Sequence, residues 1–209
     1  MIQLMKKKIY PETLETLFEC DDFTDEVIRE HFDIGDGSWY VEDGWLVGES
    51  RICSDCMIMT KKDYTGDVFI EFDAATVLPA THDINVTMHG SWNDRMHRDK
   101  GYVFGLEGFW EGHIGFERSP DYKLLVQTDL LDFTPGEVYH IAVGNYANNF
   151  FLIVNGRMAM QVRDPEPPFD LDKYGKVGFE AFCTRVKYKN LKIKRLEIVD
   201  DPKTYTPEF

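Results

Sequence analysis

The sequence predicts an all-β protein: a two-sheet antiparallel β-sandwich of jelly-roll type with a short N-terminal helical or irregular segment. Three observations point there. From residue 37 onward, short β-type runs are separated by Gly, Asp, Asn and Pro at the spacing of a sandwich or barrel. Several runs alternate apolar and polar residues, which puts one face on a core and the other toward solvent or ligand. The dipeptides Asp43-Gly44, Asn148-Asn149 and Asn155-Gly156 sit between such runs, where hairpin turns need residues tolerant of positive φ.

Taken in order, residues 13–32 (TLETLFECDDFTDEVIREHF) can be helical in part, with Leu17, Val27 and Ile28 as core contacts. SWYVEDGWLVGES then reads as a hairpin about Asp43-Gly44. In DVFIEFDAATVL, Val68, Ile70 and Phe72 oppose Phe69, Glu71 and Asp73. In HDINVTMHGSW, Ile84, Val86 and Met88 take one face, leaving Asp83, Asn85, Thr87 and His89 on the other. GYVFGLEGF, HIGFERS and YKLLVQTDLL continue the series, and the Asn turns around FFLIV make a meander in the second half. RDPEPPFDLDKYGK is rich in Pro and Asp, cannot pair as a central strand, and reads as a long surface loop. GKVGFEAFCTRVKYKNLKIKRLEI closes the sandwich. The expected boundaries are an N-terminal segment over 1–36, a sandwich over 37–199 and a tail over 200–209.

The 209 residues suit one domain, and 43% hydrophobic with 14% aromatic content is enough to pack a core. A formal net charge of −14 argues against nucleic acid and anionic membrane as partners, since both require clustered Lys and Arg. The first ten residues lack an apolar stretch of secretion-signal length, and no window approaches a membrane span, so a soluble cytoplasmic protein is expected. Cys53 and Cys56, in CSDC, lack the second ligand pair of a zinc ribbon. The four cysteines are expected to be reduced structural thiols, with a metal or disulfide pair as the alternative.

The order of these pieces resembles the concanavalin A-like lectin and glucanase superfamily, and within it the 3-keto-disaccharide hydrolase domain family. WYVEDGWLVGES, MTKKDYTGDVFIEFDAA, VYHIAVGNYANNFFLIVNGRMAMQVRD and GKVGFEAFCTRVKYKNLKIKRL carry the likeness, over roughly residues 37 to 198. It implies a sandwich with a concave face on which members bind or cleave sugars. Retaining glucanases of the superfamily alternate three carboxylates along one strand, so that nucleophile and acid share a face. Here Glu71-Phe72-Asp73 is followed by Ala74, Ala75 and Thr76, and the third carboxylate is missing.

The candidate chemistry lies on two polar strand faces. In EGHIGFERS, alternation sets His113 and Glu117 on one face, a pair suited to base and orienting partner. In HDINVTMH, Asp83, Asn85 and His89 form a second polar face, with Trp92 and Trp110 as aromatic platforms for a sugar ring. Fold analogy adds Arg118 and Glu180, with Glu107 and His140, while RMHRD (95–99) reads as a solvated loop. Two functions follow. In the first, His113 or His89 takes the C2 proton of a 3-keto-glycoside, with Glu117 orienting the base. In the second, the face is a noncatalytic sugar-binding or protein-interaction surface. A carbohydrate or small sugar is the expected ligand; no cofactor is expected, and a structural calcium is the one metal the resemblance allows.

Overall fold

The computed structural model describes residues 1–4, 7–51, 56–108 and 113–201. Strand β1 (Ile2–Leu4) pairs with β2 (Lys7–Ile9), and β3 (Thr16–Cys20) leads to helix α1 (Asp25–His31). The helix begins where Thr24 Oγ1 accepts from the Val27 amide at 3.1 Å, satisfying a donor its first turn would leave free. β4 (Phe32–Asp36) follows at once, then the hairpin β5 (Ser38–Glu42) and β6 (Trp45–Glu49), turned by Asp43 and Gly44, both at positive φ. β7 (Met57–Thr60), β8 (Val68–Thr76), β9 (Ile84–Trp92), β10 (Arg98–Leu106), β11 (Ile114–Ser119) and β12 (Lys123–Thr128) come next. The chain ends with β13 (Tyr139–Tyr146), β14 (Asn149–Val154), β15 (Arg157–Arg163), β16 (Lys176–Glu180), β17 (Arg185–Arg195) and β18 (Val199–Asp200).

These strands build two large antiparallel sheets. One is seven-stranded, in the order β12-β11-β10-β9-β16-β7-β4; the other is eight-stranded, in the order β15-β14-β13-β8-β17-β6-β5 with β3 also on β17. The sequence reading of a two-sheet all-β sandwich is therefore what the chain adopts. Its first 36 residues are not a separate margin: β3 and β4 are strands of the two sheets, and helix is confined to the seven residues of α1 and one 3-10 turn at Pro11–Thr13. β18, Val199–Asp200, straddles the expected boundary between sandwich and tail and joins β1 and β2 in a three-stranded sheet.

The alternating strands set the core. Val68, Ile70 and Phe72 enter the main inter-sheet cluster together with Ile84, Val86 and Met88 from the facing sheet. Phe69, of opposite parity, faces outward, where Leu4, Ile9 and Leu14 from the N-terminal segment and Phe151 and Leu196 cover it in a second cluster. Phe179 stacks on Tyr188 at 3.9 Å and meets Phe72 edge-on at 5.1 Å, fixing β16 over the opposite sheet. The Asn155-Gly156 turn forms as expected, whereas the preceding hairpin turns on Ala147 and Asn148 rather than Asn148-Asn149. Cys20 and Cys56 are buried free thiols, but Cys183 is disulfide-bonded, which corrects the expectation of four reduced thiols. Spacing along the chain carries no information about approach in space, so Cys183 alone in sequence gave no warning. Among the described residues no helix is long and apolar enough to cross a membrane.

Candidate functional site

A cavity of about 320 Å³ opens on the outer face of the seven-stranded sheet, lined by Asp83, Asn85, Arg98, Glu117, Tyr122 and Glu180 among others. Four strands supply its polar groups. Alternation in β9 turns Asn85 and Thr87 outward because Ile84, Val86 and Met88 are in the core. In β11, Ile114 and Phe116 point inward and Glu117 outward; in β16, Val177 and Phe179 point inward and Glu180 outward.

Arg98 is the centre of the site. Its side chain is only 3% exposed, and its guanidinium donates to Glu180 through Nη1, to Glu117 through Nη2 at 3.3 Å and to Ser119 Oγ through Nε at 2.9 Å. Thr87 Oγ1 donates to the same Glu180 oxygen. Burial opposes the charge of Arg98, yet Glu180 and Glu117 beside it hold the guanidinium above its ordinary value. Burial pushes the Glu117 carboxyl up, and Arg98 only partly offsets this. At the mouth, the Tyr122 ring lies 5.7 Å from the guanidinium carbon and is 62% exposed, an aromatic face open to a ligand.

Asp83 closes the other end. One carboxyl oxygen accepts from Asn85 Nδ2 at 2.8 Å and the other from the Phe182 amide at 2.6 Å. Its pKa is pushed up to about 7, with burial the largest cause. The native chain therefore keeps this proton over a range in which the unfolded chain, at the ordinary aspartate value of 3.8, has released it. The stability so gained is fully present below the unfolded value and is lost as pH rises through about 7, on the order of 4 kcal/mol in all. His89, whose pKa burial pushes down, acts in the opposite sense, its contribution being lost as pH falls, so the whole-protein profile partly masks Asp83. The cost of Asp83→Asn is expected to be larger near pH 5 than near pH 8, by about 2–3 kcal/mol in urea unfolding. An equal cost at both pH values would refute the raised pKa.

Of the residues singled out in the sequence, Asp83, Asn85, Glu117 and Glu180 line this cavity together. The others among the described residues lie elsewhere. His89 has a φ of 52° in a strand whose pairing with both neighbours slips nearby, and this irregularity rotates the side chain to the core side. There it is fully buried, with Nδ1 3.1 Å from the Tyr174 carbonyl oxygen and its ring edge-on to Phe150. His113 precedes β11 and does not line the cavity. Glu117 is paired with Arg98, not with a histidine. Trp92 packs over Gly35 of β4, where a Cβ would come within 2.7 Å of its ring, and offers no platform to the cavity. Arg118 shares the face of Phe116 and holds Asp164 at 2.7 Å and the Glu166 carbonyl at 2.9 Å. His140 belongs to the other sheet, 2.7 Å from Asp73. Trp110 lies outside the described residues.

Sequence reading missed Arg98 and Tyr122. Arg98 is the first residue of β10, not part of a solvated loop, and by simple alternation it would share the core face of Tyr102 and Phe104. Register shifts between Arg98 and Lys100 and between Lys100 and Tyr102 bring it outward beside Val103. The available signal was Gly101, a strand glycine where a Cβ would sit 3.0 Å from Thr87 Cγ2 and 3.1 Å from Arg98 Cδ. Among the described residues no three His, Cys, Asp or Glu side chains are grouped as metal ligands.

No protein-family model matches the chain, and no curated protein matches it in sequence. Solved structures do match it in fold. A protein of unknown function with a galectin-like fold from Bacillus subtilis superposes with a TM-score of 0.69 at 12% identity, covering 91% of this chain and 98% of that one. The carbohydrate-binding module CBM66 from Bacillus subtilis gives 0.63 at 12% identity, covering 78% and 94%. The Bacillus licheniformis β-glucanase gives 0.58 at 9% identity, covering 87% and 99%. The likeness to 3-keto-disaccharide hydrolase domains rests on sequence motifs alone, whereas the likeness to these solved structures is one of fold, consistent with the concanavalin A-like sandwich that the strand order resembles.

Proposed function

We propose that the protein binds a carbohydrate in the cavity on the outer face of its seven-stranded sheet. The observation that carries this reading is the buried guanidinium of Arg98 held between Glu117 and Glu180 beneath the exposed ring of Tyr122. A sugar hydroxyl both donates and accepts, so two neighbouring hydroxyls fit a surface where fixed N–H groups and carboxylate oxygens stand side by side. The C–H face of the same ring suits an aromatic side chain, as Tyr122 offers. The neighbours in fold include a carbohydrate-binding module and a β-glucanase, which supports a sugar ligand without specifying one.

Binding is favoured over base-assisted cleavage by the residues available. The base for a 3-keto-glycoside would have to face the ligand, but His89 faces the core and His113 stands outside the cavity lining. Glu71 and Asp73 lie in the eight-stranded sheet, engaged by Lys194 and by His140 and Asn190. The disulfide at Cys183 supports an oxidising compartment rather than the reducing cytoplasm, whose thiol buffers keep cysteines reduced.

Calorimetric titration against a panel of mono- and disaccharides tests the reading. At least one is expected to bind, and Tyr122→Ala is expected to weaken it by about 1 kcal/mol, roughly fivefold, with the melting temperature unchanged because the ring is mostly exposed. Failure of every sugar to bind would refute it.

A further inference from the structure

Building on the sugar-binding reading, we propose that the cavity selects uncharged, hydroxyl-rich sugars against their anionic counterparts, with Asn85 and Glu117 setting that choice. The charges that face the cavity are unequal. Among its described lining residues Arg98 is the one cation, against the carboxyl groups of Glu117, Glu180 and Asp83. Its charge is also committed: three of its five N–H groups go to Glu180, Glu117 and Ser119. An anion entering here would meet a guanidinium already neutralised twice over.

The hydrogen-bonding groups are unequal in the same direction. Asn85 Nδ2 donates to Asp83, which fixes the orientation of the amide and leaves Oδ1 as the group still to be satisfied. That oxygen is buried without a partner, in a residue only 7% exposed. The Phe182 amide is likewise taken by Asp83. What the cavity offers is mostly acceptor, so a ligand must donate to satisfy it. A sugar hydroxyl does so, and relieves the cost of the unpaired Asn85 carbonyl. A ligand carboxylate or sulfate can only accept; set against Asn85 Oδ1 and Glu117 it would bring repulsion and unpaired oxygens, the two means by which a site rejects a near-isostere.

The test uses paired probes: methyl glucoside with methyl glucuronide, and methyl galactoside with methyl galacturonide, titrated into the intact chain. In each pair that binds, the neutral member is expected to bind at least about tenfold more tightly. Glu117→Gln, which keeps the shape and removes the charge, is expected to narrow that gap to about threefold or less. Raising the salt to about 1 M, where charges are screened over about 3 Å, should narrow it in the native protein without any substitution. A uronate that binds as tightly as its neutral partner overturns the selectivity and leaves sugar binding standing. If no member of either pair binds while another neutral sugar does, the same comparison made with that sugar's uronate decides between these outcomes; if no sugar binds, both proposals fall together.

Discussion

Arg98→Ala is expected to abolish detectable sugar binding and to destabilise the fold by about 3–5 kcal/mol. The guanidinium is the shared partner of two carboxylates, and its removal leaves Glu180 and Glu117 facing one another, part-buried, without a cation. Breaking a buried pair on one side costs this much because the remaining charge keeps its desolvation penalty and loses its compensation. Glu180 would retain the Thr87 hydroxyl, a single neutral donor in place of a charged one. Arg98→Lys keeps the charge but cannot reach Glu180, Glu117 and Ser119 at once through a planar fork. It should recover much of the stability and little of the binding. Chemical denaturation and calorimetry of the two variants separate these effects; an alanine variant as stable as the native chain would show that the triad carries no structural weight.

Phe179→Ala is expected to have a comparable effect on stability, about 3–5 kcal/mol, from the core side of β16, the strand that carries Glu180. The ring is fully buried, stacked on Tyr188 and edge-on to Phe72. The Tyr188 hydroxyl in turn lies 3.1 Å from both the Asn85 and the Glu180 carbonyl oxygens, which share its one proton, so the cavity left by the ring would lie directly beneath the backbone that presents both side chains. Binding should therefore weaken in a variant that still folds, even though residue 179 touches no ligand. A loss of stability below about 1 kcal/mol would mean that the two sheets close over the void more readily than a well-packed core does.

Much of the architecture was legible because it follows from a period of two. Ile84, Val86 and Met88 were read as core, and Asp83, Asn85 and Glu117 reach the cavity as that parity requires, joined by Glu180, which fold analogy had supplied. The parts that were not legible lie where the period breaks. His89 and Arg98 stand on either side of a local slip between β9 and β10, and each faces the opposite way from simple alternation. Gly90 and Gly101, which approach closely there, mark the place, but a strand glycine does not say which neighbour reverses. Trp92 was read as a platform because tryptophan suits sugars; the close approach of Gly35 that makes room for its ring depends on a strand 57 positions earlier. Tyr122 sits in the turn between β11 and β12 at a φ of 47°, outside any strand pattern. The N-terminal strands escaped notice because β1 to β3 are three to five residues long, and β2 and β3 are tied into the fold by the distant β18 and β17.

The central claim is that a sugar occupies the outer face of the seven-stranded sheet at Arg98. Its most direct test is a backbone amide NMR titration with the tightest-binding glycoside. The perturbed amides are expected to cluster on Asn85, Arg98, Val103, Glu117, Glu180 and Phe182, all of which line the cavity. Perturbations gathered instead around Glu71, Asp73 and His140, on the outer face of the eight-stranded sheet, would contradict the account.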